Sequence, residues 1–159
     1  LALWTSRLAP LSRPEFHLFD RDSQPPAVAK YQAEADAMNQ RDRCKAVITG
    51  KMEMENYLHF EAINEAYAQQ SNIALGLTTN FGDFDDIPAK IAEIVHVLSG
   101  GQKVWGDLQK DVQDKKASNA KRNLNHVAVT FMTKKRLEEI DPDAHVLGWF
   151  QEMKRLIDL

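Results

Sequence analysis

The sequence predicts an α/β chain: a small parallel sheet with a crossover helix, followed by a mostly helical carboxyl-terminal part. Three observations carry this. An apolar run from Glu15 ends at Asp20, with Asp22 one residue beyond. Val28, Tyr31, Ala35 and Met38 then recur at three- and four-residue steps, a helical period over Ala27 to about Arg43. A second apolar run, Lys45 to Thr49, is stopped by Gly50. Strand, helix, strand at this length implies a right-handed crossover and a parallel pair.

The first strand is apolar on both faces, as parallel strands usually are. Pro25 and Pro26 suit the first turn of the crossover helix, and Ser23 its cap. Beyond Tyr57 the pattern turns helical. Phe60 to Gln70 is a helix, and Leu75 to Asp86 is a loop. Ile87 to Ser99 is a helix with Ile91, Ile94, Val95 and Leu98 as its buried stripe and Gly100 as its stop. Lys103 to Lys116 is helical, the polar stretch to Asn125 has no clear period, and Val127 to Met132 reads as a short strand or buried segment. Thr133 caps a helix to Ile140. Asp141-Pro142 opens the last helix, with Val146, Trp149, Phe150, Met153 and Ile157 facing inward. Residues 1–9 read as a helix end or edge segment, and Pro10 and Pro14 bracket a linker. The expected division is an α/β part over 1–70 and a helical extension over 71–159 packed on it.

A chain of 159 residues, 43% hydrophobic and 27% charged, has the makings of an ordinary globular core. A net charge of −3 leaves nucleic-acid binding to local patches. Cys44 is the only cysteine, so there is no disulfide framework and no thiolate zinc cluster. A reducing cytoplasm is the simplest compartment. No apolar run is long enough to span a bilayer, so no membrane partner is expected. The chain starts at Leu1, which reads as the tail of something longer.

In open α/β sheets the functional crevice lies at the carboxyl ends of the strands. Asp20 and Asp22 sit at one such end, Gly50 and Lys51 at the neighbouring one. Carboxylates are the hard oxygen donors that Mg²⁺ prefers. At i and i+2 on an extended chain their Cβ atoms are roughly 6.5 Å apart, a gap that a turn would close. Asp20 and Asp22 could then share one ion, or flank two about 3.5–4 Å apart. The bland alternative is a polar turn with a helix cap. Lys51 could reach a phosphate oxygen and offset charge developing there, with Glu53 or Glu55 adding a ligand or holding the lysine. Its bland alternative is a surface pair between Lys51 and Glu55.

His17-Leu18-Phe19-Asp20-Arg21-Asp22, Asn39, and Thr49-Gly50-Lys51-Met52-Glu53-Met54-Glu55-Asn56-Tyr57-Leu58 together resemble the carboxyl-terminal Toprim domain of OLD-family (overcoming lysogenization defect) nucleases. Those proteins join an ABC-type ATPase to a Toprim nuclease, and Gabija-type anti-phage nucleases are related to them. The match is strongest over residues 15–60. The resemblance implies a Toprim-like parallel sheet lacking its first strand, with Asp20 and Asp22 as ligands of Mg²⁺ (or Mn²⁺). It implies a catalytic or phosphate-contacting Lys51, with Glu55 as a further ligand or support. The implied activity is DNA cleavage or nicking in anti-phage defence. The implied partners are DNA, an ABC-type ATPase domain or subunit upstream, and a second copy of the chain through the ATPase part. A Toprim site also uses a glutamate on an earlier strand. Glu15, the only acid before Asp20, shares the strand of the pair and cannot serve, so that acid is expected on an upstream part or a separate polypeptide, unless the chain is an inactive remnant. No phosphate-binding Gly-x-x-x-x-Gly-Lys-Ser/Thr loop is present. The rival expectation is a catalytically inactive Toprim-like module that docks an ABC-type ATPase or DNA. A third is other phosphoryl chemistry, such as primer synthesis or phosphate hydrolysis.

Leu98-Ser99-Gly100-Gly101-Gln102 matches the ABC ATPase signature letter for letter, but no strand ending in Asp-Glu follows, so a helix stop is the better account. Basic residues gather late in the chain. Lys115, Lys116, Lys121 and Arg122 form a stripe that could follow a DNA backbone, or simply a solvated helix face. The histidines show no metal-ligand spacing, and Cys44 has no paired-His signal. Leu1, Leu3, Trp4 and Leu8 are expected to pack on an upstream part.

Overall fold

The computed structural model describes residues 13–158, so the expectations for residues 1–9 lie outside it. Among the described residues it holds a two-stranded parallel sheet and six α-helices, an α/β arrangement that is mostly helical. The elements are β1 (Glu15–Phe19), α1 (Gln32–Asn39), β2 (Cys44–Ile48), α2 (Phe60–Ser71), α3 (Ile87–Leu98), α4 (Lys110–His126), α5 (Lys134–Ile140) and α6 (His145–Ile157). They form two compact units, one running to Gly50 and resuming at Asp143, the other Lys51–Pro142. The boundary expected at residue 70 falls inside α2, and the last helix belongs with the sheet. None of the helices is long and apolar enough to cross a membrane.

In the first unit, β1 and β2 pair in register from Glu15↔Cys44 to Phe19↔Ile48, so the two strands end level. Alternation along the strands puts Phe19, Cys44 and Ala46 in one apolar cluster with Ala35 and Met38 of α1. β1 is less buried than its apolar letters suggest, with only Phe19 fully covered. The crossover helix is also shorter than its periodicity implied. Residues 21–31 close on themselves instead, with Lys30 N donating to Arg21 O (3.1 Å) and Ser23 Oγ to Val28 O (3.1 Å). Pro25 and Pro26 lack N–H donors and disfavour helix in the residue before each, so they shape a loop and Ser23 caps nothing. Asn39 seals the free edge of β2, accepting from Ala46 N (2.9 Å) and donating to Ala46 O (3.1 Å). In α6 the buried residues are Trp149 and Leu156, whereas Phe150 and Ile157 are 63% and 73% exposed. Two turns separate each pair, so one stripe is buried and its neighbour faces out.

The second unit packs Leu58, Ile63, Tyr67, Leu75, Ile87, Ile91 and Leu124 with small alanines between them. α3 is capped by Asp86, whose carboxylate accepts from Ala89 N (3.0 Å), and Pro88 occupies its first turn. Its buried stripe is Ile87, Ile91, Ala92 and His96, while Leu98 is exposed. The two glycines that follow have separate reasons. Gly100 takes a left-handed φ of 71° that ends the helix. A Cβ on Gly101 would lie 2.1 Å from Cε1 of His96, whose Nε2 donates to Lys103 O at 2.8 Å. The five signature letters thus build a helix stop closed over an imidazole. α4 runs unbroken through the polar stretch, and residues Ala128–Phe131 form a 3₁₀ turn where a strand was an option. Thr133 does cap α5, its hydroxyl accepting from Arg136 N (3.2 Å).

Arg136 ties α5 to α2 through Glu61 (3.1 Å) and Glu65 (2.6 Å), and also donates to Phe131 O (2.7 Å). Its hydrogen bonds hold the Glu65 carboxyl below its usual range. Lys90, aided by Gly82 N–H, does the same for Asp85. A carboxylate whose folded pKa is lowered stabilises the fold above its unfolded pKa and loses that contribution as pH falls. Below about pH 4 the wild type should therefore lose stability more steeply than a Glu65→Gln, Asp85→Asn variant. Urea midpoints across the acid range would measure the difference in slope, and equal slopes would count against these pairs.

Candidate functional site

The level ends of the two strands are tied together by Thr49. Its N–H donates to Phe19 O (2.9 Å) and its hydroxyl accepts from Arg21 N (2.9 Å), with the residue itself only 1% exposed. Asp20 follows β1 directly and is half-buried. Asp22 sits at a left-handed φ of 51°, which aspartate tolerates better than most residues, and its carboxylate accepts from Lys30 Nζ at 3.0 Å. At the end of β2, a Cβ on Gly50 would be 2.4 Å from Cε1 of His145. The absent side chain is what lets the first residue of α6 lie against this edge. His145 was not legible beforehand, because only the return of α6 to the sheet brings it there.

Lys51, the next residue, belongs to the helical unit and is 5% exposed. Its ammonium donates to Ile140 O (2.6 Å) at the end of α5, pairs with Asp83 (2.8 Å), and lies 5.1 Å from the Tyr57 ring centroid. A carbonyl, a carboxylate and an aromatic face are good company for a buried cation. The residues after it do different work from one another. Glu53 forms a capping box with Asn56 over the 3₁₀ turn Met54–Tyr57. Asn56 also donates to Gly82 O (2.9 Å) and Asp85 O (3.0 Å), fastening the 82–85 loop. Glu55 is 1% exposed, accepts from Asn125 Nδ2 (2.7 Å), and keeps its second oxygen, Oε2, buried without a hydrogen-bond partner. Burial raises the Glu53 carboxyl above its usual value, and neighbouring Glu55 adds to that against the pull of Lys121. The surface pair between Lys51 and Glu55 is not among the contacts described: both residues are buried, Lys51 against Ile140 O and Asp83, Glu55 against Asn125 and Lys121.

Compared with protein-family models, curated proteins and solved structures, the chain finds no match. Its reading therefore rests on its own residues.

The basic stripe of α4 divides. Lys121 turns to Glu53 (2.8 Å) and Glu55 (3.6 Å). Lys116 lines a cavity of about 270 Å³ with Tyr67, Ser71, His96, Asn119 and Asn123. Arg122 and His126 line an adjoining one of about 500 Å³ that shares Ser71, Asn119 and Asn123. Burial raises the Tyr67 phenol to about 12, so its hydroxyl stays protonated at ordinary pH. Lys115 is exposed one position along. The result is a polar groove with cations on one wall. Among the described residues, Asp20 and Asp22 join no set of three side chains close enough to share an ion. The set that qualifies is Glu15, His17 and Cys44, at the amino ends of the strands.

Proposed function

We propose that this chain carries part of a Mg²⁺- (or Mn²⁺-) dependent DNA endonuclease of the Toprim type, regulated by an ABC-type ATPase in anti-phage defence. One observation supports it most: two strands in parallel register end level, the first running into Asp20 and Asp22, the second into Thr49, Gly50 and Lys51. The donor set suits the ion, since both candidates are carboxylates. Asp20 and Asp22 would hold it, and when bound it would polarise a phosphodiester and make water a better nucleophile. The Lys30 ammonium orients the Asp22 carboxylate. Lys51 would offer positive charge to a phosphate, with Glu55 of the following 3₁₀ turn in support. The α4 groove, through Lys115, Lys116 and Arg122, would take the DNA backbone by salt-sensitive contacts.

The test is plasmid nicking by the complete protein with Mg²⁺, comparing wild type with Asp20→Ala. Nicking should fall on the order of 100-fold or more, the usual scale for losing a group that stabilises transition-state charge. Equal nicking by both would remove Asp20 from the mechanism. A second reading is favoured by the saturated surroundings of Lys51: a non-catalytic module that docks an ATPase or DNA. It predicts that Mg²⁺ leaves the melting temperature unchanged, whereas a ligand that binds only the folded state raises it.

A further inference from the structure

We propose that Glu15, His17 and Cys44 form a binding site for a transition-metal ion of the zinc type, at the end of the sheet opposite the Asp pair. The proposal is independent of the nuclease reading. Parallel register sets Cys44 directly across from Glu15, and the two-residue period of β1 puts His17 on the same face. Three different ligand atoms meet there. Glu15 Oε2 lies 2.9 Å from His17 Nε2 and 4.0 Å from Cys44 Sγ, and all three atoms are within 4.8 Å of one another. Around a tetrahedral zinc with ordinary bond lengths, a nitrogen and an oxygen ligand are about 3.4 Å apart, and a sulfur and an oxygen about 3.6 Å. The oxygen–nitrogen and oxygen–sulfur separations lie within about half an ångström of those values, and nitrogen and sulfur are no more than 4.8 Å apart.

The surroundings favour an ion over a simple polar contact. Glu15 Oε2 accepts from both His17 and Cys44, so two protons now crowd the point where one divalent cation would sit. Its other oxygen, Oε1, accepts from Arg41 at 2.8 Å. Outer hydrogen bonds of that kind aim a ligating carboxylate. Burial works against ionising Glu15, yet His17 and Arg41 outweigh it and keep the carboxylate charged. Burial pushes the Cys44 thiol up, so it stays protonated until a metal takes the proton's place. On binding, Cys44 releases one proton to solvent, and Nε2 of His17 gives up any proton it carries to take the ion. Three protein ligands leave the fourth position to water. Sulfur, nitrogen and oxygen together select zinc, cobalt or a similar ion over magnesium.

Titrating Co²⁺ into the metal-free full chain should produce a sulfur-to-cobalt charge-transfer band in the near ultraviolet, with saturation at one equivalent. One equivalent of Zn²⁺ should remove the band, and excess Mg²⁺ should not. Cys44→Ser should abolish it, and His17→Gln should weaken Co²⁺ affinity at least about 10-fold. Asp20→Asn should leave the titration unchanged, which separates this site from the proposed nuclease ion. Absence of the band in the wild type, or its survival in Cys44→Ser, would overturn the proposal. The wild-type spectrum decides the matter even if a variant does not fold.

Discussion

Leu124→Ala should destabilise the helical unit by about 2–5 kcal/mol, as large-to-small changes at fully buried sites do. α4 has few apolar residues with which to dock. Its charged and amide side chains cover most of the surface, and only Ala120 and Leu124 are buried. Leu124 is 0% exposed, the one large side chain of α4 wholly inside the core, set against α2 and α3. Truncation opens a void that neighbouring alanines, Ala66, Ala92, Ala120 and Ala128, cannot fill. For a chain of this size the cost corresponds to roughly 5–20 °C in melting temperature. Urea denaturation with Ser118→Ala, an exposed change on the same helix, as the control would measure it. A loss under about 1 kcal/mol would mean that α4 is docked by something other than its apolar seam. Because α4 also carries Lys116 and Arg122, the same variant should weaken any DNA binding by the groove.

That helix also shows why the sequence was legible in some places and not in others. Elements with strong periodicity and clear punctuation were found within a residue or two. β1, β2 and α2 are examples, as is α3 between Asp86 and Gly100. The helix expected over Lys103 to Lys116 begins at Lys110 and runs on to His126, because its average polarity hides a thin seam of two small residues, Ala117 and Ala120, and a single large one, Leu124. The helical period over Ala27 to about Arg43 overstates α1 for the opposite reason. Val28 and Tyr31 fit the period, but Val28 is 74% exposed in a loop closed by Ser23 and Arg21. Periodicity records spacing, and only the fold decides which of two adjacent stripes is covered, as Phe150 and Ile157 show in α6.

The candidate site divides in the same way. A carboxylate pair after one strand and a lysine after the next can be read directly, because both are local to the chain. Residues that the fold delivers from elsewhere cannot. His145 comes to the strand ends with α6, and Asp83 and Ile140 come to Lys51 from a distant loop and the end of α5. The Glu15, His17 and Cys44 set escaped for a related reason. No ligand-spacing motif joins residues 15, 17 and 44, and only the register of a parallel pair makes them neighbours. Cys44 looked unpartnered because its histidine is on the other strand.

Lys51→Met separates the two roles that its surroundings allow. As a structural tie, the lysine satisfies the last carbonyl of α5 and an ion pair with Asp83. Methionine keeps the aliphatic stem but leaves Ile140 O without this donor, at a cost of about 1–3 kcal/mol. Asp83 adds little to that, since its side chain is 57% exposed and water can solvate the carboxylate left behind. A protein that folds at all with this loss stays mostly native under assay conditions, so a purely structural lysine would leave nicking close to wild type. If Lys51 instead meets a phosphate, Lys51→Met should lower nicking on the order of 100-fold in protein that is still folded by circular dichroism. Asp83→Asn is the matched control. It removes the same ion pair and leaves the ammonium, so it should change stability by less than about 1 kcal/mol and spare nicking. Loss in both variants would trace the defect to the fold. Loss in Lys51→Met alone would place the charge itself in the reaction, and loss in neither would leave Lys51 as a helix-end tie and favour the docking module.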